Sequence, residues 1–308
     1  MLYFIINPKS KSGRGLSVWN TVKNELDEKR IKYTYYVTTH KSHATKFTQK
    51  ICSENDNIKY IVAVGGDGIV NEIINGIPDY SKVILGYIPT GSGNDLAKGL
   101  GISTKPLVAL NSILQSKKFI YVDHGEMSIS DSNNTNLRFC TSIGMGLDAS
   151  ICIKGMNSKI KYFLNKIGLS KIIYGLITLQ KIISLKLVDA DIIIDGQKKH
   201  FSKVAFITSL IHKSEGGGLL MAPNAKYNDK KLSIFMIHDM SKIKLLYCLG
   251  ILFLGKQPKF KGVTTFDCHT IDIKTTEKLP IHIDGKLAGI SNHLTNKIYK
   301  DQIRMPKN

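Results

Sequence analysis

The stretch Tyr60-Ile-Val-Ala-Val-Gly-Gly-Asp-Gly-Ile-Val-Asn-Glu72 decides the fold. An apolar run of strand length ends in Gly-Gly-Asp-Gly, and an amphipathic segment starts at once. Glycines let the backbone turn sharply and let a ligand approach main-chain N–H groups that no Cβ shields. A helix beginning there aims the positive end of its dipole at the same point, which suits a phosphate. Asp67 lies in the tight loop, where a carboxylate can hold a metal or take a proton. A second turn, Pro89-Thr-Gly-Ser-Gly-Asn-Asp-Leu-Ala97, follows another apolar run about 25 residues later. Thr90, Ser92 and Asn94 supply hydroxyl and amide groups there. Alone it is an ordinary strand-to-helix turn capped by Asn94 or Asp95. Two such turns on adjacent parallel strands point to a shared phosphate site.

Around these turns the first 124 residues alternate strand-like and helix-like periods. Leu2–Ile6, Tyr33–Val37, Ile58–Val64 and Val83–Ile88 read as strands. Val18, Val22 and Leu26 recur four apart and predict a helix ending near Arg30, preceded by a loop from Asn7 to Gly15. Ala44–Ser53 and Ile69–Asn75 read as further helices. Apolar strands alternating with helices predict a parallel sheet covered on both faces, with ligands beyond the carboxyl ends of its strands. After about Val122 polar turns separate strand-like runs at Ala190–Ile194, Val204–Thr208, Leu232–Ile237 and Ile271–Lys274. This half reads as a mainly antiparallel β domain interrupted by a lysine-rich helical region at 155–187.

Composition narrows the function classes. The chain has 308 residues, 43 Lys and Arg against 24 Asp and Glu, and a net charge of +19. Nucleic acid, an anionic membrane surface or anionic small molecules would each account for that excess. No arginine-rich stripe or reader motif supports nucleic acid. Between Ile151 and Val188 lie seven lysines (154, 159, 161, 166, 171, 181, 186), no acidic residue, and many aliphatic and aromatic side chains. Such a segment suits an interfacial helix, or it is simply a solvated helix face. The longest apolar run, Leu245–Leu254, is about half the ~20 residues that a bilayer span needs. Met1–Ile6 lacks a basic flank and reads as a first strand rather than a signal peptide. Five cysteines without C-x-x-C spacing read as reduced thiols of a cytoplasmic protein. Nine scattered histidines show no zinc-ligand spacing.

In order along the chain stand Asn7-Pro-Lys-Ser…Gly13-x-Gly15, Gly65-Gly-Asp-Gly-x-Val-Asn-Glu72 and Pro89-Thr-Gly-Ser-Gly-Asn-Asp95. Gly144-Met-Gly-Leu-Asp-Ala149, Gly216-Gly-Gly218…Pro223-Asn-Ala225…Asp229 and Ile283-Asp-Gly285 follow. Together these resemble the diacylglycerol kinase catalytic-domain family, which includes sphingosine and bacterial lipid kinases. The resemblance implies a phosphofructokinase-like α/β domain over 1–124 and a β-sandwich domain over 125–308, whose final residues could return to the first. The active site would lie between them. ATP would be the donor, Mg²⁺ its partner, and a lipid alcohol such as diacylglycerol the acceptor. Carried over by position, Asn7, Thr38, Gly66, Asp67, Gly68, Asn71, Glu72, Thr90 and Ser92 would contact nucleotide. Asp67 and Asp284 are the carboxylates able to orient or deprotonate the acceptor hydroxyl; on local sequence alone, Asp284 is equally a hairpin Asp-Gly turn. The implied setting is cytoplasmic, peripheral at the inner membrane face, and an exposed sandwich edge could make a homodimer.

Three departures stand out. Ile69 replaces the usual Thr of the phosphate loop. Lys286 stands where relatives have the Glu of Asp-Gly-Glu, so the third catalytic position is a cation near neutral pH. The family's magnesium loop is reduced to Asp229, with the carbonyls of Lys226 and Lys231 beside it, and Lys230 and Lys231 oppose a divalent cation. Alternatives are therefore a kinase for NAD or a sugar phosphate on the same loop, or a catalytically weak nucleotide- or lipid-binding homologue.

Overall fold

The computed structural model describes residues 1–130, 135–157, 170–254, 256 and 259–307. Two compact units divide the chain. The first holds Met1–His124, Tyr227–Asp229 and Tyr299–Asn308; the second holds Gly125–Lys226 and Lys230–Ile298.

In the first unit the order is β1 (Leu2–Ile6), α1 (Ser10–Glu28), β2 (Tyr33–Val37), α2 (His43–Ser53), β3 (Lys59–Gly65), α3 (Asp67–Ile74), β4 (Val83–Pro89), α4 (Asp95–Leu100), α5 (Pro106–Gln115) and β5 (Phe119–Val122). The sheet runs β2-β1-β3-β4, then the last strand of the chain, then β5. β1 to β4 pair in parallel, and only β5 runs antiparallel to its neighbour. Phe4, Ile6, Val62, Val64 and Ile88 pack on one face against Trp19, Val22 and Leu26 of α1 and Leu110 and Ile113 of α5. Strands buried on both faces read as unbroken apolar runs, which is why they are so plain in the sequence. The first helix differs from expectation. It starts at Ser10, taking in most of the loop assigned to Asn7–Gly15, with Lys11 and Gly13 at positive φ in its opening turns.

The second unit contains β6 (Gly125–Ile129), β7 (Thr135–Phe139), β8 (Ser142–Gly146), α6 (Leu147–Asn157), α7 (Ser170–Ile183), β9 (Val188–Ile194), β10 (Gln197–Val204), β11 (Phe206–Leu210), β12 (Ser214–Glu215), β13 (Leu219–Leu220), β14 (Leu232–Ile237), α8 (Lys242–Phe253), β15 (Val263–Cys268), β16 (Thr270–Ile283) and β17 (Lys286–Ile298). The closing strand β18 (Ile303–Pro306) belongs to the first unit. A ten-stranded antiparallel sheet follows the order β15-β14-β11-β8-β16-β17-β6-β7, with β9 and β10 beside β16. Met127 and Phe139 from one end of that order share a core with Ile234 and Met236 from the other, so the sheet curls over itself as a sandwich. A second core, built from Phe206, Leu210, Phe235 and Ile237, packs against α8 through Leu245, Cys248 and Leu252. Residues 158–169, which carry three of the seven lysines of the basic segment, lie outside the described residues.

Candidate functional site

Four predicted positions sit at the carboxyl ends of four neighbouring parallel strands. Asn7 follows β1, Thr38 follows β2, Gly66 follows β3 and Thr90 follows β4. Main-chain bonds hold these ends level: Asn7 N–H donates to the Val64 carbonyl at 2.9 Å, Thr38 N–H to Ile6 at 2.8 Å and Thr90 N–H to Gly65 at 2.6 Å. The two glycine turns then touch. A Cβ on Gly91 would lie 2.6 Å from Gly66 Cα, so only paired glycines permit the approach.

Asp67 locks that approach. Its carboxylate accepts from Asp95 N–H at 2.9 Å and Leu96 N–H at 3.3 Å, the first amides of α4, and from the Tyr87 hydroxyl at 3.3 Å. The loop carboxylate thus caps the helix of the second turn and fixes both turns as one rigid cradle. Asn94, at φ 52°, completes it by accepting from Gly91 N–H at 2.8 Å. Ser10 Oγ meets Thr90 Oγ1 at 2.6 Å, linking the first loop to the second turn. Ser92 is exposed at the tip, as are Lys9, Lys11 and Arg14 of the first loop.

Asn71 and Glu72 sit one turn further along α3. Glu72 accepts from Ala44 N–H at 3.3 Å, and its carbonyl accepts from the Thr45 hydroxyl at 2.8 Å, so it ties α3 to the start of α2. Asn71 is buried, its carbonyl taking the Asn75 amide. Ser10 and Tyr87 were missed by sequence reasoning, because a serine in a loop and a tyrosine in an apolar strand carry no local signal. Ile69, the residue that replaces a hydroxyl, is buried and would contact a Cβ on Gly65 at 2.7 Å.

The remaining predicted residues belong to two further segments. Asp284 and Gly285 form a two-residue hairpin with φ 43° and 78°, both positive as a type I′ turn requires. The Asp284 carboxylate, nearly buried, accepts main-chain N–H bonds from Cys140 at 3.0 Å, Thr141 at 2.8 Å and Ser142 at 3.1 Å. It therefore anchors the hairpin to the start of β8. Lys286 opens β17 directly after the turn. Asp229 is half-buried in a turn of the first unit, whereas the exposed Lys226 and Lys231 belong to the second.

A polar cluster that sequence reasoning did not assemble lies on one face of the second unit's sheet. Thr208 of β11, Gly144 of β8 and His282 of β16 stand in one cross-strand row. Gly144 leaves a gap, and Asp148 from the first turn of α6 fills it. A Cβ at position 144 would collide with both Asp148 Oδ2 and His282 Nε2. Asp148 Oδ2 lies 2.7 Å from His282 Nε2 and accepts from Thr208 Oγ1 at 3.1 Å. Glu215 Oε2 lies 3.9 Å from the same imidazole nitrogen. Burial would push His282 down, but the Asp148 carboxylate beside it, helped by Glu215 and Asp284, lifts it to about 9. Burial raises the Glu215 carboxyl well above its usual range and the Asp148 charge adds to this; Asp148 itself is held down against burial, chiefly by His282.

Two family profiles together span most of the chain. The profile described as the diacylglycerol kinase catalytic domain matches residues 1–127, and that of the YegS C-terminal NAD kinase beta sandwich-like domain matches 143–298. The chain is 27% identical over 288 residues to the "Putative lipid kinase YtlR" of Bacillus subtilis, covering 93% of each chain. It is 23% identical over 286 residues to a diacylglycerol kinase of Staphylococcus carnosus, covering 92% of this chain and 88% of that one. Among solved structures, a diacylglycerol kinase from Bacillus anthracis superposes with a TM-score of 0.71 at 20% identity, covering 100% of this chain and 96% of that one. An NAD kinase from Archaeoglobus fulgidus, crystallised with ATP, superposes at 0.56 and 14% identity, covering 100% and 94%.

Proposed function

Because the chain belongs to the diacylglycerol kinase catalytic-domain family, we propose that it transfers the γ-phosphoryl group of ATP to the hydroxyl of diacylglycerol or a related lipid at a membrane surface. One observation carries the reading: two glycine turns at the carboxyl ends of adjacent parallel strands, locked together through Asp67. Phosphoryl transfer passes through a loose transition state, so a rigid cradle and cationic neighbours do most of what the protein must do. The main-chain amides of the two turns, the exposed Ser92 hydroxyl, and Lys9, Lys11 and Arg14 suit a triphosphate, with Thr90 buried behind them against Ser10. Mg²⁺ would enter with the nucleotide and neutralise charge on its phosphates. The Asp229 loop suits a dedicated magnesium site poorly, with Lys230 and Lys231 alongside. Asp284, satisfied by three amides, orients the hairpin that carries Lys286.

Action at the inner face of the cytoplasmic membrane has its own support. Leu176 and Ile183 of α7 are 63% and 68% exposed, and Ile243 and Tyr247 of α8 are 84% and 64% exposed. The helices are joined where Lys242 Nζ donates to the Ile183 carbonyl at 2.8 Å. The segment around α8 repeats the pattern of the earlier basic segment, with Lys242, Lys244, Lys256, Lys259 and Lys261 and no acidic residue between Met240 and Phe266. Apolar side chains ringed by lysines suit anionic lipid, each lysine adding about 1 kcal/mol near the surface. No described helix is long and apolar enough to cross a bilayer.

A lipid-panel assay with ATP and Mg²⁺ tests the reading, with NAD and sugar phosphates as competing acceptors. Transfer to diacylglycerol that disappears in Asp67→Ala supports it; transfer to NAD alone, or to nothing, overturns it. The second reading, a catalytically weak homologue, is favoured by Lys286. There, ATP binds without turnover, and Lys286→Glu restores lipid phosphorylation.

A further inference from the structure

We propose that Asp148, Glu215 and His282 form a binding site for a divalent transition cation of the Zn²⁺ or Mn²⁺ class in the second unit. One ligand atom from each residue falls within a 4.8 Å span. The side chains are 12%, 6% and 3% exposed, so the site is enclosed.

Four observations carry the assignment. Glu215 Oε2 is buried and has no hydrogen-bond partner among the described residues. The ionisable groups beside the Glu215 carboxyl are Asp148 and His282, whose Nε2 lies 3.9 Å from Oε2. A buried carboxylate oxygen without a donor costs about 1–3 kcal/mol, so native structures rarely leave one. Second, Asp148 and Glu215 place two carboxyl groups in one buried pocket beside an imidazole, and a dication would balance both as carboxylates by displacing the protons that Glu215 and His282 otherwise hold, leaving a neutral imidazole as third ligand. Third, the distances suit a small cation. Tetrahedral ligands at roughly 2.0–2.1 Å from a metal lie about 3.3 Å apart; the observed 2.7 Å and 3.9 Å from His282 Nε2 straddle that spacing, so shifts of roughly half an ångström bring each carboxyl to it. Fourth, the bare Gly144 is what lets Asp148 Oδ2 and His282 Nε2 meet, since any side chain there would displace them.

The donor set selects the class of ion. An imidazole disfavours Mg²⁺ and Ca²⁺, which take oxygen, and the lack of sulfur disfavours Cu(I). Three ligands from the first turn of α6, from β12 and from β16 would be held by one ion. That makes the site a staple among segments 67 residues apart in each step along the chain. Such wide separation also explains why the histidines show no ligand spacing.

The full-length protein is loaded separately with Zn²⁺ and with Mn²⁺, desalted and assayed for retained metal by plasma mass spectrometry, with thermal melting in parallel. About one equivalent should be retained, with a rise in Tm of several degrees. Glu215→Gln and His282→Gln should each drop retention to background and abolish the shift. Asp272→Asn, which alters the surface pair with His293, should leave both intact. Should the cluster variants fail to fold, Co²⁺ loading of the unaltered protein is decisive, because a bound ion gives visible d–d absorption. No retention of either metal and no Co²⁺ spectrum, or equal retention in folded Glu215→Gln and His282→Gln, overturns the proposal. None of these readouts depends on kinase turnover.

Discussion

The two polar centres of this molecule are assembled in opposite ways. In the first unit, the members come from short loops at the ends of parallel strands, and most are main-chain groups. In the second, Asp148, Glu215 and His282 are side chains from distant segments that meet across a sheet face. A strand-end site is built by glycine and turn geometry and tolerates side-chain change. A sheet-face site depends on three particular side chains and a single vacant Cβ. The difference teaches where each centre is vulnerable: the first to loss of a lock, the second to loss of space.

The largest expected effect breaks the first centre at its lock. Asp67→Asn keeps the shape but cannot accept both α4 amides as an anion, and lipid phosphorylation should fall by roughly 10²-fold or more, with KM for ATP raised. Steady-state kinetics checks this; unchanged kcat and KM would show that the lock is dispensable. Two glycine replacements sharpen the comparison next. Gly91→Ala forces the turns apart, so ATP affinity should drop along with about 1–3 kcal/mol of stability. Gly144→Ala drives a methyl group between Asp148 and His282 and should cost a similar amount of stability by denaturant unfolding, while ATP binding to folded protein stays intact. Loss of ATP binding in both would erase the distinction.

A smaller effect concerns acid. Burial holds the His212 imidazole down at about 4, against a main-chain bond with Cys140 that raises it. The unfolded chain, at the ordinary value near 6.5, binds a proton between those limits that the folded chain refuses. Stability is therefore retained above about 6.5 and lost as pH falls towards 4, by an amount on the order of 3 kcal/mol. His212→Asn should flatten that part of the profile in thermal melts. If its profile parallels that of the unaltered protein, His212 is not the sensor. The smallest effect lies at the surface: Ile243→Ser on α8 should weaken binding to anionic vesicles by about tenfold or less, with turnover on a water-soluble short-chain acceptor unchanged.

Much of the first unit is legible in the sequence because its information is local. Buried parallel strands appear as apolar runs, and glycines mark the turns that a phosphate needs, so the linear pattern alone assigns Asn7, Thr38, Gly66 and Thr90 to strand ends. Glu72 is legible as a motif but not as a contact: its bond to Ala44 depends on how α3 lies beside α2. Asp284 is legible both ways, and the positive φ values and three amide donors show a turn that anchors. The helix start at Ser10 is hidden because Gly13 and Gly15 imitate a loop.

By itself the sequence determined the alternating architecture, the strand-end cradle and the excess of positive charge, since each follows from neighbours along the chain. Only the tertiary structure decided that Asp67 caps α4 and that Asp284 clamps β8. It alone placed two carboxylates and an imidazole over a bare glycine. Those outcomes depend on distances between residues dozens to more than a hundred positions apart, and strand pairing and packing set such distances where no linear pattern can.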